Sequence, residues 1–389
     1  MKIGVTVDFR TSLFSSGIGQ NGIYLVKLFE NIGWDAWVIT NNKEEGKELP
    51  ITSELNQIGL SDMQICTSGE SLDANFDIII FLGLALPQLY AKAYRRNNPN
   101  IKFVSYKCGN EFFTTAEAIL FDAHPSRQAA SSAAPDSIQP DVIWSIPQME
   151  HTNLDYYKYT QVQDNATVVP FIWDPMCIEA YQKALGFGYW EPREGRSRIA
   201  ICESNVNIQK HLMYPIIMAN KYMSEGNPVE GLHIYNASKL AENKTLISFI
   251  NTGHPELIKK VKALARKNLP TILAQEADVI LSWQMENNLN YMYLDAAWLG
   301  YPVVHNANLC QDVGYYYEAN QVDAAVDQLK NAFTNHNKSY RNKQREIVKR
   351  YKPDNKVLQD QYKQLVDELM AGKFTQQKYD WKTNTVSPK

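Results

Sequence analysis

The apolar run Lys102–Tyr106 ends in Lys107-Cys108-Gly109-Asn110-Glu111. As a strand of an open α/β sheet, this run delivers the Glu111 carboxylate to the C-terminal edge, where such sheets bind ligands. A glutamate there can take the proton from an attacking hydroxyl, and it can equally serve as an acid at a helix start. His124, His151 and His305 are competing bases. Gly17-Ile18-Gly19-Gln20-Asn21-Gly22 spells G-x-G-x-x-G ahead of a helix. It departs from the dinucleotide fingerprint twice: Phe9–Ser16 separate the first glycine from its strand, and the second strand ends in Thr40-Asn41-Asn42, with no acid for a ribose. In place of an NAD site we expect Gly17, Gly19, Gln20 and Asn21 to form a loop whose backbone N–H groups meet a sugar or phosphate on the acceptor side. The alternative is a turn with no ligand.

These residues need elements to hold them. Lys2–Val7, Ala36–Thr40, Ile78–Leu82, Lys102–Tyr106 and Val142–Ile146 are short β-rich runs separated by helical patterning, which implies a parallel sheet. A helix between the first two carries Ile23, Val26, Lys27 and Glu30 at a 3.6 period and stops at Asn31–Gly33. A second series runs through Arg198–Cys202, Gly231–Tyr235, Val261–Ala265, Asp278–Ser282 and Pro302–His305. The chain therefore reads as two α/β domains, 1–170 and 171–354, with the crossing near Thr167–Pro175. The segment 355–389 is expected to rejoin the first domain as a C-terminal helix over Asn355–Lys373, followed by a frayed polar tail.

Bulk properties agree with this division. A chain of 389 residues with 44% hydrophobic and 21% charged residues is long enough for two ordinary cores. A net charge of −3 gives no general attraction to nucleic acid, although Lys338, Arg341, Lys343, Arg345, Lys349, Arg350 and Lys352 form a local basic run. Five widely spaced cysteines without a C-x-x-C pair read as buried thiols. The N-terminus alternates like a strand and shows no signal peptide, and no run is long enough to span a membrane, so a cytoplasmic location is expected. No P-loop, H-E-x-x-H, G-x-S-x-G or D-x-D motif occurs, so neither a metal nor a resident cofactor is expected.

The longest patterned stretch runs from Ala277-Asp278 through Asn288-Leu289-Asn290 and Asp295 to Gly300-Tyr301-Pro302-Val303-Val304. A strand opening with Ala-Asp, a polar loop, a helix bearing an acid and then Gly-x-Pro-Val-Val resembles the donor signature of the GT-B glycosyltransferases. That resemblance implies two Rossmann-like domains whose parallel sheets face across a cleft. It also implies Asn288, Leu289 and Asn290 at the donor diphosphate and Asp295 on the ribose, where the family usually has Glu. Helix N-termini favour anions, and a carboxylate can accept from two vicinal hydroxyls, so the chemistry suits those roles. The family also keeps a basic residue after the first strand of its second domain. Here Glu203-Ser204-Asn205-Val206-Asn207-Ile208-Gln209-Lys210 offers Lys210, which would stabilise the departing diphosphate.

More closely, Thr167–Pro175, Glu203–Pro215, Asn290–Asp295, Tyr301–Ala307 and Asp312–Tyr317 resemble a family of bacterial and phage proteins grouped with these enzymes. The resemblance covers nearly the whole chain and carries no acceptor with it. It implies a nucleotide-sugar co-substrate, with UDP as the default. Glu111 is placed like the general base of the phage DNA glucosyltransferases, so a hydroxymethylated base in duplex DNA is the first acceptor considered, supported by the basic run. The alternatives are a cell-surface glycan or lipid-linked sugar, a non-catalytic nucleotide-sugar-binding protein, and a sugar-epimerising relative.

Overall fold

Strands that lack an alternating polar face need cover on both sides, as in α/β proteins. The structure, a computed structural model, arranges them so, and it describes residues 1–8, 13, 17–41, 50–121, 137–161, 163–193, 195 and 197–389. They form two compact units: Met1–Cys177 with Arg350–Lys389, and Ile178–Lys349.

The first unit is built on β1 (Lys2–Thr6), β2 (Asp35–Thr40), β3 (Gln64–Thr67), β4 (Ile78–Phe81), β5 (Lys102–Lys107), β6 (Val142–Ser145) and β7 (Ala166–Val168). They make one parallel sheet in the order β3-β2-β1-β4-β5-β6-β7. Among the described residues before the crossing, its helices of at least eight residues are α1 (Gly17–Ile32), α2 (Pro50–Gln57), α3 (Gln88–Asn97), α4 (Glu111–Phe121) and α5 (Glu150–Thr160); α6 (Met176–Leu185) leads into the second unit. Because the strand order reverses between β1 and β4, the segments leaving these two strands border the crevice typical of open sheets.

At that crevice the glycine segment differs from expectation. Gly17, Gly19, Gln20 and Asn21 are the first residues of α1 itself, not a loop ahead of it. Glycine disfavours helix by about 1 kcal/mol against alanine, which is why the local pattern reads as a loop. Packing overrides it: a Cβ on Gly22 would stand 2.4 Å from Val7 Cγ2 and 3.1 Å from Leu82 Cδ2. Gly22 lets α1 lie flush on the ends of β1 and β4.

The second unit contains β8 (Arg198–Ile201), β9 (Gly231–Ile234), β10 (Val261–Ala263), β11 (Val279–Leu281), β12 (Val303–His305) and β13 (Tyr315–Tyr316). They are parallel in the order β10-β9-β8-β11-β12-β13, so the reversal falls between β8 and β11. The longer helices are α7 (Met213–Ser224), α8 (Lys244–Asn251), α9 (Tyr291–Leu299), α10 (Val322–Thr334) and α11 (Ser339–Val348). The Ala-Asp that opens β11 has a structural task at the N-terminal edge. Asp278 accepts from Arg198 N and Nε, both at 3.0 Å on Oδ2, and from Nη2 at 3.0 Å on Oδ1, clamping the starts of β8 and β11 together.

After α12 (Lys356–Met370) the chain is neither helical nor frayed, which corrects the expectation for 355–389. β14 (Gln377–Asp380) and β15 (Thr385–Pro388) form an antiparallel hairpin. With one strongly apolar position, Val386, the hairpin leaves almost no periodic signal. Polar contacts anchor it instead. Gln377 N donates to Thr167 Oγ1 at 2.7 Å, and Asn384 exchanges hydrogen bonds with both backbone groups of Phe171 at 3.0 and 2.9 Å. Tyr362 of α12 donates to Pro170 O at 2.9 Å and packs edge-on against Phe29 and Trp144.

Candidate functional site

In the second unit, residues 202–212 and 282–290 leave neighbouring strands β8 and β11 at the same edge. Gln209 stitches them together: its carbonyl accepts from Met285 N at 2.8 Å, and its Nε2 donates to Glu286 O at 3.1 Å. Asn207 Oδ1 accepts from the backbone N–H of Gln209 and of Lys210, at 3.2 and 3.3 Å, and so shapes the turn that carries Lys210. The Asn287 amide, oriented as its neighbours require, accepts from Lys210 Nζ at 3.2 Å and donates to Leu289 O at 3.2 Å. Burial lowers the Lys210 ammonium from its usual range, and the charge of Glu203 partly restores it.

The helix start lies next to this lysine. Gln284 accepts from Asn287 N and donates to Asn288 Oδ1, both at 2.6 Å, which folds the polar loop onto itself. Asn290 caps α9, its Oδ1 accepting from Met292 N at 3.2 Å. Leu289 turns its side chain into the core, so only its backbone can serve a ligand. Asp295 is half-buried on α9, five residues and so about 7 Å along the axis from the cap. The loop after β11 thus brings Lys210, Asn288, Leu289 and Asn290 together, with Asp295 farther along the same helix.

One group at this edge was not singled out from the sequence. Glu203, immediately beyond β8, is 1% exposed. Its Oε1 accepts from the Ser282 hydroxyl, which also meets Tyr293 OH at 2.7 Å, while Tyr317 OH donates to Ser282 O at 2.8 Å. Burial raises the Glu203 carboxyl, against the opposing pull of Lys210, Ser282 and the Trp283 N–H. The rule that selects Glu111, a carboxylate just after a strand, applies equally to Glu203 and would have found it.

In the first unit, Asn110 Oδ1 accepts from Phe113 N at 3.1 Å and Asn153 Oδ1 from Phe112 N at 2.9 Å, which fixes the start of α4. Glu111 stands there as the first helical residue, paired with Lys107 at 3.0 Å. Lys107 is 6% exposed, and burial lowers it against the raising effect of Glu111. Asn21 on α1 is 2% exposed, with no partner for Oδ1 among the described residues, and Gln20 Nε2 donates to Leu13 O at 3.1 Å. Of the competing bases, His124 lies outside the described residues and His151 is exposed on α5. His305 is fully buried with both ring nitrogens engaged: Nε2 meets Val313 O at 2.5 Å, and Nδ1 accepts from Ala307 N at 3.1 Å.

A family model matches residues 3–366 of this sequence. The chain belongs to that family, described as Protein of unknown function (DUF2827). No curated protein matches this DUF2827 chain. Among solved structures, the crystal structure of TarM is similar at 12% identity and a TM-score of 0.60, over 95% of this chain and 98% of that one. An α-glucosyltransferase in complex with UDP and a 13-mer DNA containing an HMU base is similar at 10% identity and a TM-score of 0.55, over 95% and 99%. A glycosyltransferase from Rickettsia africae is similar at 10% identity and a TM-score of 0.53, over 95% and 98%. The DUF2827 chain has the GT-B fold, two parallel-sheet Rossmann-like domains.

The basic run of this DUF2827 protein is largely engaged in its own packing. Arg341 and Arg345 lie over the Tyr189 ring at 4.1 and 4.6 Å, and Arg345 also lies over Trp298 at 4.5 Å. Lys338 pairs with Glu191 at 2.5 Å, Lys349 with Glu346 at 2.5 Å and Lys352 with Asp354 at 2.8 Å. Lys343 is exposed. Among the described residues no helix is long and apolar enough to cross a membrane, and no group of three or more His, Cys, Asp or Glu side chains could hold a metal ion.

The state of His305 has a consequence for stability. Burial pushes it down to about 4 from 6.5, and the Val313 carbonyl opposes this only in part. The unfolded chain therefore binds the proton first as pH falls. The stabilisation is whole above about pH 6.5, drains away toward pH 4, and is reduced by about 2 kcal/mol at pH 5. Thermal unfolding at pH 7 and pH 5 should show a larger loss in the native protein than in His305→Gln; equal losses contradict this account.

Proposed function

We propose that this protein is a glycosyltransferase that moves a sugar from a nucleotide-sugar donor, UDP-linked by default, onto an acceptor hydroxyl. The observation that carries the proposal is Lys210, half-buried at the strand-order reversal of the second sheet beside the capped start of α9. Cation, helix dipole and backbone N–H groups together suit a diphosphate. Asp295 holds the ribose hydroxyls, and Lys210 stabilises charge as the nucleoside diphosphate leaves. In an inverting reaction Glu111 removes the acceptor proton, with Gly17, Gly19, Gln20 and Asn21 at the start of α1 on the acceptor side. Incubation with a panel of nucleotide sugars and candidate acceptors, read by mass spectrometry, tests the proposal. Donor binding with neither transfer nor hydrolysis would leave a non-catalytic binding protein, and an altered sugar released without acceptor would indicate an epimerase.

Phosphate recognition through a lysine and a helix start needs no divalent ion, so turnover should survive EDTA. Loss of activity on chelation, restored by Mn²⁺ or Mg²⁺, overturns that part.

Hydroxymethylated duplex DNA is the first acceptor to test, because the α-glucosyltransferase of similar fold was solved with HMU-containing DNA. A glycan hydroxyl is the second reading, favoured by the engagement of Arg341 and Arg345 in packing. If DNA is the acceptor, Lys343→Glu with Lys349→Glu should weaken duplex binding and flatten its salt dependence, since fewer counterions are released. No binding to duplex DNA at low salt would leave the glycan.

A further inference from the structure

Glu203 has no task in the reading above, yet it is buried at the proposed diphosphate site. Its Oε1 takes the Ser282 hydroxyl and the Trp283 N–H acts on the carboxyl, while Oε2 is enclosed without a hydrogen-bond partner among the described residues. Lys210, the cation that acts on it, directs Nζ to Asn287. An ionised carboxylate only accepts hydrogen bonds, and so does an ionised diphosphate. An unpartnered anionic oxygen here would repel the ligand that Lys210 attracts. A protonated Oε2 would instead be a donor, and a phosphate oxygen is the acceptor it lacks.

We propose that Glu203 carries a proton when the diphosphate is bound, so that its Oε2–H joins Lys210 as a donor to the phosphate oxygens, and that binding takes this proton up from solvent. The balance is one proton moving from buffer to the Glu203 carboxylate, with no other bond made or broken. The inference rests on the diphosphate reading of Lys210.

The surroundings leave few other groups to titrate above neutrality. Cys202 beside Glu203, Tyr293 from α9 and Tyr317 beyond β13 are all raised by burial and stay neutral. His211, packed on Trp283 at 4.4 Å, is lowered by burial, and His305, stacked on Tyr293 at 4.7 Å, titrates at about 4. Burial favours the uncharged forms of both Glu203 and Lys210. A bound dianion raises the proton affinity of Glu203, so diphosphate binding weakens as pH rises through the value of the free carboxyl.

The test is calorimetry with UDP, GDP and ADP above pH 7.5, where the ligand's terminal phosphate is already ionised, in two buffers of different ionisation heat. Wild type should take up a fraction of a proton per diphosphate. Glu203→Gln should take up none and bind roughly tenfold tighter at pH 8, since it no longer needs the proton. Binding by wild type without proton uptake, uptake retained in Glu203→Gln, or weaker binding by that variant each overturns the inference. Retained uptake would put the proton on Lys210, and weaker binding would mean that Oε2 accepts from a ligand hydroxyl. Should no diphosphate bind wild type, or should Lys210→Met bind as wild type does, the diphosphate reading itself fails, a distinct result.

Discussion

Lys210→Ala and Asp295→Ala should each weaken binding of UDP by about 1–3 kcal/mol, the range for a lost charge-assisted hydrogen bond. The two losses have different origins. Lys210 supplies charge, so its loss should fall on the diphosphate and be similar for UDP, GDP and ADP. Asp295 is assigned to the ribose, so its loss should extend to a nucleoside monophosphate and shrink with a 2′-deoxynucleotide. Removing Lys210 also strips the compensating charge from the buried Glu203, so thermal unfolding must accompany calorimetry. Unchanged affinity in both folded variants would sink the donor assignment.

Glu111→Gln should lower kcat by roughly 10²–10⁴-fold with donor affinity little changed, the expected loss of a general base. The substitution keeps the size and much of the hydrogen bonding of the side chain. It also removes the partner of the buried Lys107, so some loss of stability is expected without the acceptor being involved. The size of the kinetic effect separates two stereochemical courses. An inverting enzyme loses turnover, whereas a retaining one keeps most of it, because the leaving phosphate can accept the proton. NMR of the product's anomeric configuration completes the test: an inverted product at near-normal rate removes Glu111 from the mechanism and directs attention to His124 and His151.

The sequence disclosed most where local pattern and tertiary demand agree. Buried strands such as Ile78–Phe81 read as uninterrupted apolar runs, and Gly33, at φ of 92°, stops α1 where its spacing indicates. It misled where packing overrules propensity, as at Gly17–Gly22, where Gly22 serves close helix–sheet contact. It was silent where polar groups do the holding. Asn384 and Gln377 tie the C-terminal hairpin to the first unit without a hydrophobic period, and β13 is only two residues long. In the candidate site the family motif picked out Lys210 and Asn288–Asn290, residues that the fold brings near one another at the start of α9. The position of Glu203 after β8 was as legible as that of Glu111 after β5, but its enclosure by Ser282, Tyr293 and Tyr317, residues far along the chain, was not.

The anchoring of Tyr362, Gln377 and Asn384 on residues 167–171 also sets an order of events during synthesis. The second unit is one continuous piece, Ile178–Lys349, and can close as soon as that piece has emerged from the ribosome. The first unit begins earlier yet must wait, its sheet made but one wall missing, until residues 350–389 arrive. During that interval Trp144 and Phe29 lack the ring that covers them, so a chain truncated near residue 350 and released would carry a finished second unit and an unfinished first one.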